Sequence, residues 1–379
     1  MSAYKEAILI INIVSLLFLL GLSGLLFHTR RYNKRILLPA IIFIASCTPI
    51  YIYNIVLTFN LYDISLWLAP LAYSSITLLF PALWLYIHNY LNTGNKFSKL
   101  RLIHFIPTIT CAIVYLLYLS TLPFHEQANF MLHKNTHMNT WISYTNIIIL
   151  ILQIIMYFPI IFIYLSQVKK LIFEYFSYTE WLNYRWFKNT AIFLALTFAT
   201  IVISYHLCKN SSTWVLNIFE ILIACYFTYN VIKTTPEDIF SIQDEPIILM
   251  QFDEIIGTEP KISKSKCSKI IKSLADYITN PQYYLSPTLN IPILSAIIGI
   301  KSENTVYAFK KKFNCTFFDY INKKRLDYAI SILKKQPESN IDDVITQSGF
   351  LTKKTFVNTL KKNYNKTLSQ LLEEIDNSI

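Results

Sequence analysis

Glycine, charge and paired cysteines are all scarce in this chain. Six glycines in 379 residues leave no GxGxxG and no GKS/T phosphate loop, which excludes the common nucleotide-binding enzymes. So few glycines also argue against spans broken at glycine, a mark of many transporters. The six cysteines, Cys47, Cys111, Cys208, Cys225, Cys267 and Cys315, form no CxxC and no Cys/His spacing that could hold zinc. Neither a metal site nor a disulfide framework is expected, and packing is the default role of each thiol. HExxH is absent and His88, His104 and His206 are dispersed, so a membrane hydrolase would lack its catalytic cluster. Only 15% of residues are charged while 54% are hydrophobic, a balance too apolar for an ordinary soluble protein. No enzymatic activity and no cofactor are expected.

What is present falls into unlike halves. The apolar excess fills residues 8 to about 232, whereas residues 261–379 carry 19 Lys and Arg against 10 Asp and Glu. Between them, residues 233–260 are acidic and hold three prolines, the composition of a connector. The expected domains are therefore a membrane domain (1–232), an acidic connector (233–260) and a basic soluble domain (261–379).

Seven apolar runs are long enough to cross a bilayer: Ile8–Phe27, Ile36–Phe59, Leu66–Tyr86, Leu102–Leu119, Trp141–Leu165, Thr190–Cys208 and Trp214–Ile232. The first is not expected to be a cleaved signal, because Lys5 and Glu6 balance ahead of it and Arg30, Arg31, Lys34 and Arg35 follow it. Connections 28–35, 90–101 and 166–189 hold 11 Lys and Arg, against 3 in the N-terminal tail and the alternate connections. That bias places the N-terminus outside and the C-terminus in the cytoplasm. Trp67, Trp141 and Trp214 then stand at outer span ends, and Trp84, Trp181 and Trp186 at inner ones, as belt residues do.

Inside the spans Glu220 is the one carboxylate, with Asn217 on the same helical face. A carboxylate there costs about 3 kcal/mol on insertion scales, so it is expected to face protein or a water-filled cavity. It could hold a ligand or proton, or could pair with His206 or a neighbouring hydroxyl. Asn12, Asn54, Asn146 and Gln153 are expected as interhelical hydrogen-bond residues.

The chemistry concentrates between Leu289 and Leu368, where one pattern occurs twice: a short apolar helix, a tight turn, and a second helix with a basic outer face. In the first copy Asn290 caps, Pro292 sits in the first turn, and Ile291, Leu294 and Ile298 point inward before Gly299 ends the helix. The next helix buries Phe309 and Phe313 and turns Glu303, Val306, Tyr307 and Lys310 outward, followed by Lys311. In the second copy Asn340 or Ser339 caps, Ile341 and Val344 pack, and Gly349 supplies the turn. Thr352 caps a helix that buries Phe356 and Leu360 and shows Lys353, Lys354, Val357, Asn358 and Lys361 outward. Between the copies FFDYINKKRLDYAISILKK reads as one amphipathic helix of about 27 Å, close to the 34 Å or so of one DNA turn. A helix from about Lys266 to Ile278, with Ile270, Ile271, Leu274 and Ile278 inward, opens this half. Any single lysine here could be a solvated surface residue; as a set they point to DNA.

Across about Lys261 to Glu374 the sequence resembles the AraC-type family of bacterial transcription regulators. FFDYINKKR (Phe317–Arg325), Gly349 with Phe350, and Phe356 followed by Lys361 and Lys362 carry the likeness. It implies two helix-turn-helix units joined by one helix and sequence-specific binding in successive major grooves. Thr305 stands where the family usually buries a leucine, Ile345 where it keeps a small alanine, and Asn365 and Leu368 replace a customary Gly and Pro. The apolar half resembles the seven-span sensor region fused to some such domains, through FPALWLYIHNYL (Phe80–Leu91), His104–Pro107 and FSYTEWLNYRW (Phe176–Trp186). The expected protein is all-α: a seven-helix transmembrane bundle, in the bacterial cytoplasmic membrane, with an AraC-type domain in the cytoplasm. Its expected partners are double-stranded promoter DNA, the lipid bilayer, an unidentified signal or ligand, and a second copy of the chain. The rival is a transporter-like or receptor-like membrane protein whose helix-turn-helix tail serves protein contacts.

Overall fold

The computed structural model describes residues 3–28, 34–91, 99–123, 141–178, 185–207, 213–233 and 262–377. Among them every regular element is helical, with no strand beyond one isolated bridge between Phe176 and Asn290. The acidic connector lies, but for Lys233, outside the described residues. Two compact units emerge: Met1–Tyr164 with Tyr184–Asp238, and Leu165–Asn183 with Ile239–Ile379.

In the first unit the helices are α1 (Ala3–His28), α2 (Lys34–Ala45), α3 (Thr48–Thr58), α4 (Tyr62–Ser75), α5 (Leu79–Leu91), α6 (Ile106–Thr121), α7 (Trp141–Tyr175) up to Tyr164, α8 (Arg185–Leu207) and α9 (Thr213–Lys233). Five segments are long and apolar enough to cross a membrane: Lys5–His28, Lys34–Thr58, Leu66–Leu91, Arg101–Thr121 and Thr145–Tyr175. The expected sixth and seventh spans, in α8 and α9, are not among them. Side chains such as Leu17 (64% exposed), Leu117 (61%) and Ile155 (63%) point away from the protein interior, which in water would leave large apolar patches.

The second span is interrupted, contrary to the expectation from scarce glycine. α2 stops before Ser46 and Cys47, and α3 restarts with Pro49 in its first turn. Proline supplies no N–H and cannot continue the ladder. The freed carbonyls are met locally, Ser46 Oγ donating to Phe43 O and Thr48 Oγ1 to Ala45 O, each at 2.8 Å. A second break falls at the 3-10 turn Ile76–Leu78, where Ser74 Oγ donates to Pro70 O and Thr77 Oγ1 to Ser74 O. Hydroxyls thus do what glycine scarcity was taken to forbid.

Other expectations for this half divide. Gln153 bonds across helices, its Nε2 donating to Thr77 O at 3.0 Å, whereas Asn12 donates to Ile8 O within its own helix. Trp67 is 78% exposed, but Trp186 is only 2% exposed and packs among Tyr86, Phe187 and Phe227, so it is a core residue and not a belt residue.

The second unit holds the end of α7 from Leu165, then α10 (Lys264–Thr279), α11 (Pro281–Tyr284), α12 (Ile291–Ile297), α13 (Ser302–Phe313), α14 (Phe317–Lys335), α15 (Ile341–Gln347), α16 (Lys353–Tyr364) and α17 (Leu368–Asp376). It differs from the expected domain by including Leu165–Asn183, of which Leu165 ends an expected span and 166–183 fall in the expected connection. α10 is capped by Ser263 and buries Cys267, Ile270, Leu274 and Ile278. α14 starts at Thr316, whose side chain accepts from Asp319 N, and buries Phe317, Ile321, Leu326, Ala329 and Leu333. α15, α16 and α17 close over its second half, with Val344, Ile345, Phe350, Phe356, Leu360, Leu371 and Ile375 in one core.

Candidate nucleic-acid interface

Each of the two repeated units is built by the residues that fix its turn. Asn290 accepts from Ile293 N to start α12, and Gly299 at φ +67° ends it. Asn340 accepts from Asp342 N to start α15, and Gly349 at φ +80° ends that. At Gly349 a Cβ would lie 2.3 Å from Leu285 O and 3.1 Å from Arg325 Nε, so both the left-handed backbone and the close approach require glycine. Thr352 caps α16 through Thr355 N. Both outer helices end on a left-handed asparagine, Asn314 (φ 51°) and Asn365 (φ 53°). Asn365 therefore occupies the conformation that glycine serves elsewhere.

The two substitutions inside the cores are accommodated differently. Thr305, fully buried, accepts from Ser295 Oγ at 2.8 Å and donates to Lys301 O, so a paired hydroxyl replaces apolar contact between α12 and α13. Ile345 simply packs, 3% exposed.

Two helices, each following a glycine turn at the end of a short helix and joined by the 19-residue α14, make a tandem array. Residues 294–374 match the family described as a helix-turn-helix domain. This segment is a helix-turn-helix domain. No curated protein and no solved structure matches the chain.

Within this domain the second helices of the two units are α13 and α16. On α16, Lys353, Lys354, Asn358 and Lys361 are exposed. Lys353 Nζ donates to Asp342 Oδ1 at 2.9 Å, with both side chains more than half exposed; such a pair contributes about 0–1 kcal/mol and yields readily to a phosphate. Thr352 spends its hydroxyl on the cap, and Val357 is half-buried against the core, so its expected outward position is corrected. Tyr364 Oη donates to Asp327 Oδ1 at 2.7 Å, a bond that, with burial, raises its pKa.

α13 departs more from expectation. Lys310 and Lys311 are exposed, Glu303 and Tyr307 half-buried, and Val306 only 8% exposed. Val306 is buried together with Thr305, Ala308 and Phe309, so its expected outward position is corrected. Lys311 Nζ lies 5.3 Å from the Tyr307 ring centroid, one turn away. Lys310 Nζ donates to Glu174 Oε1 at 2.8 Å.

Glu174 and Ser177 are contacts that sequence reasoning missed. Ser177 stands in the quoted run FSYTEWLNYRW, but nothing in its spacing named a partner. Its carbonyl accepts from Asn322 Nδ2 at 2.8 Å, and its N–H and Oγ both donate to Leu289 O. Arg325, 1% exposed, donates from Nε to Tyr284 O, from Nη1 to Ser177 O and Asn322 Oδ1, and from Nη2 to Ser177 Oγ and Ser286 O. Those five bonds use all five guanidinium hydrogens.

The expected ligand residues are in the first unit. Glu220 accepts from Tyr51 Oη at 2.5 Å. It lines a cavity of about 30 Å³ with Leu19, Phe43, Cys47, Thr197 and Phe198. Asn217 is half-buried, and the side chain of His206 lies outside the described residues.

Proposed function

We propose that the protein is a membrane-tethered transcription regulator that couples a signal sensed at the membrane to promoter binding. The observation that carries the reading is the tandem helix-turn-helix domain at residues 294–374, whose α16 presents Lys354, Asn358 and Lys361 to solvent. Exposed lysines on a reading helix neutralise phosphates, and an amide reaches base edges. The regulator works without catalysis.

Membrane tethering is supported by the five apolar segments and their exposed aliphatic side chains. Seven spans with the N-terminus outside accord with the Lys and Arg bias, and leave the reading helices in the cytoplasm. α7 has 35 residues, about 52 Å of helix against a hydrocarbon core of about 30 Å. Its end, with Lys169, Lys170 and Glu174, thus projects into water. The sensing element is the Glu220 cavity beside the break at Cys47, where a small ligand or a water would alter the Tyr51 bond. A second copy in the same membrane would raise the effective concentration of domains at adjacent DNA sites.

The interrupted second span, next to a half-buried carboxylate, also fits a transporter carrying this domain as a tail. Electrophoretic retardation of the gene's own upstream region by the detergent-purified chain separates the two. Retardation that weakens as salt rises is expected for the regulator; its absence at low salt discards that function.

A further inference from the structure

Glu303, Val306, Tyr307 and Lys310 lie on one stripe of α13, three, four and seven residues apart. At one end the Lys310 ammonium is held by Glu174, whose side chain is only 12% exposed while that of Lys310 is 54% exposed. At the other end the Tyr175 hydroxyl is within electrostatic range of Glu303. Val306, between them, keeps 8% of its surface. The end of α7 therefore meets, at Lys310, the stripe that a helix-turn-helix domain offers to a major groove.

It is anchored there by more than one ion pair. The Phe173 ring meets Phe318 edge-on at 4.7 Å. Phe176 bridges to Asn290, and Ser177 bonds Leu289, Asn322 and Arg325. All of these partners belong to the second unit.

The dimensions of DNA decide what this cover does. A helix with its side chains is about 10–12 Å across, and the major groove is about 12 Å wide. α13 fills such a groove alone and has no room for a second helix end on the side facing the bases. Glu174 adds a chemical conflict, since it holds the cation that a phosphate would take and repels the phosphate itself.

We infer that residues 173–178 form an autoinhibitory strap that competes with DNA for α13, an inference that rests on the DNA-binding function proposed above. When the strap leaves, Lys310 is freed for a phosphate and the Ser177 side of Arg325 opens to water. Because strap and DNA exclude each other, whatever loosens the strap tightens DNA binding by the same factor. The measured affinity is the intrinsic one multiplied by the fraction of molecules with the strap open. Among the described residues, α16, with Lys354, Asn358 and Lys361 exposed, carries no comparable tie at those residues.

The test uses the full-length protein in nanodiscs, a fluorescein-labelled duplex from its own upstream region, and polarisation at fixed salt. Glu174→Ala removes the carboxylate, and Phe173→Ala removes the ring contact without touching the reading stripe. Both are expected to tighten binding about 3- to 10-fold, as opening a mostly closed strap would. Adding duplex to the wild-type protein should speed hydrogen exchange at the Ser177 amide, which is bonded to Leu289 O. Unchanged or weaker affinity in both variants, with salt-sensitive binding by the wild type, overturns the strap and leaves DNA binding standing. Failure of all three proteins to bind at low salt overturns the DNA-binding function, and the strap with it.

Discussion

The guanidinium of Arg325 and the hydroxyl of Ser177 meet at 3.0 Å although 148 positions separate them in the chain. A buried cation whose hydrogens are all paired with neutral acceptors is stabilised only while every acceptor stays in place. Replacing it by a flexible hydrocarbon leaves Tyr284 O, Ser286 O and Asn322 Oδ1 without these donors. Arg325→Met is expected to cost about 3 kcal/mol or more, in the range for breaking a buried charged network. Urea denaturation followed by a probe in residues 262–377 would show it; a loss below about 1 kcal/mol contradicts the network's role.

The two turn glycines are unequal. Gly299 has open space where a Cβ would go, whereas the Cβ of an alanine at 349 would strike Leu285 O. Gly299→Ala should cost about 1 kcal/mol for its positive φ alone. Gly349→Ala should cost at least twice that, because backbone must move as well. Equal melting temperatures for the two variants would refute the close approach.

Ser295 and Thr305 form a hydroxyl pair between α12 and α13. Removing one partner, as in Thr305→Val, strands a buried hydroxyl and should cost about 1–3 kcal/mol. Ser295→Ala with Thr305→Val should recover most of that loss, and a double-mutant cycle on denaturation midpoints measures the coupling. Additive losses would mean that the pair contributes nothing.

On α16, Lys354→Ala and Lys361→Ala should weaken binding to all duplexes alike and reduce the salt slope by about one unit each. Asn358→Ala should instead relax preference at one or two base positions, each worth about 1–3 kcal/mol. Competition binding against a randomised duplex pool distinguishes these outcomes. A change of preference in the lysine variants and none in Asn358→Ala would reverse the roles assigned here.

Local signals were legible and remote ones were not. Asn290, Asn340 and Thr352 cap where their side chains and the following apolar spacing said they would, and Gly299 and Gly349 take positive φ as turn residues must. The break beside Cys47 has a local signal in Pro49, since proline interrupts a helix without any glycine. Val306 and Val357 were placed outward from helical periodicity, which gives a residue its face but not what lies against that face. Ser177 and Glu174 could not be assigned at all, since their partners stand more than a hundred positions away and no spacing rule reaches so far. The same limit applied to Glu220: its need for a partner was evident from its chemistry, while Tyr51 as that partner came only from the fold.

Among the described residues the proposed strap on α13 has no counterpart at the exposed Lys354, Asn358 and Lys361 of α16, and that inequality would give DNA engagement a sequence in time. On that proposal a duplex would meet the lysines of α16 first, at a site too short to discriminate well, and would slide there while α13 stays covered. Commitment would come only when the first helix is uncovered over a sequence it can read. The protein would then scan with one hand and grip with the other, so that a membrane signal acting through residues 173–178 would lengthen residence at the right promoter without changing how often promoters are visited.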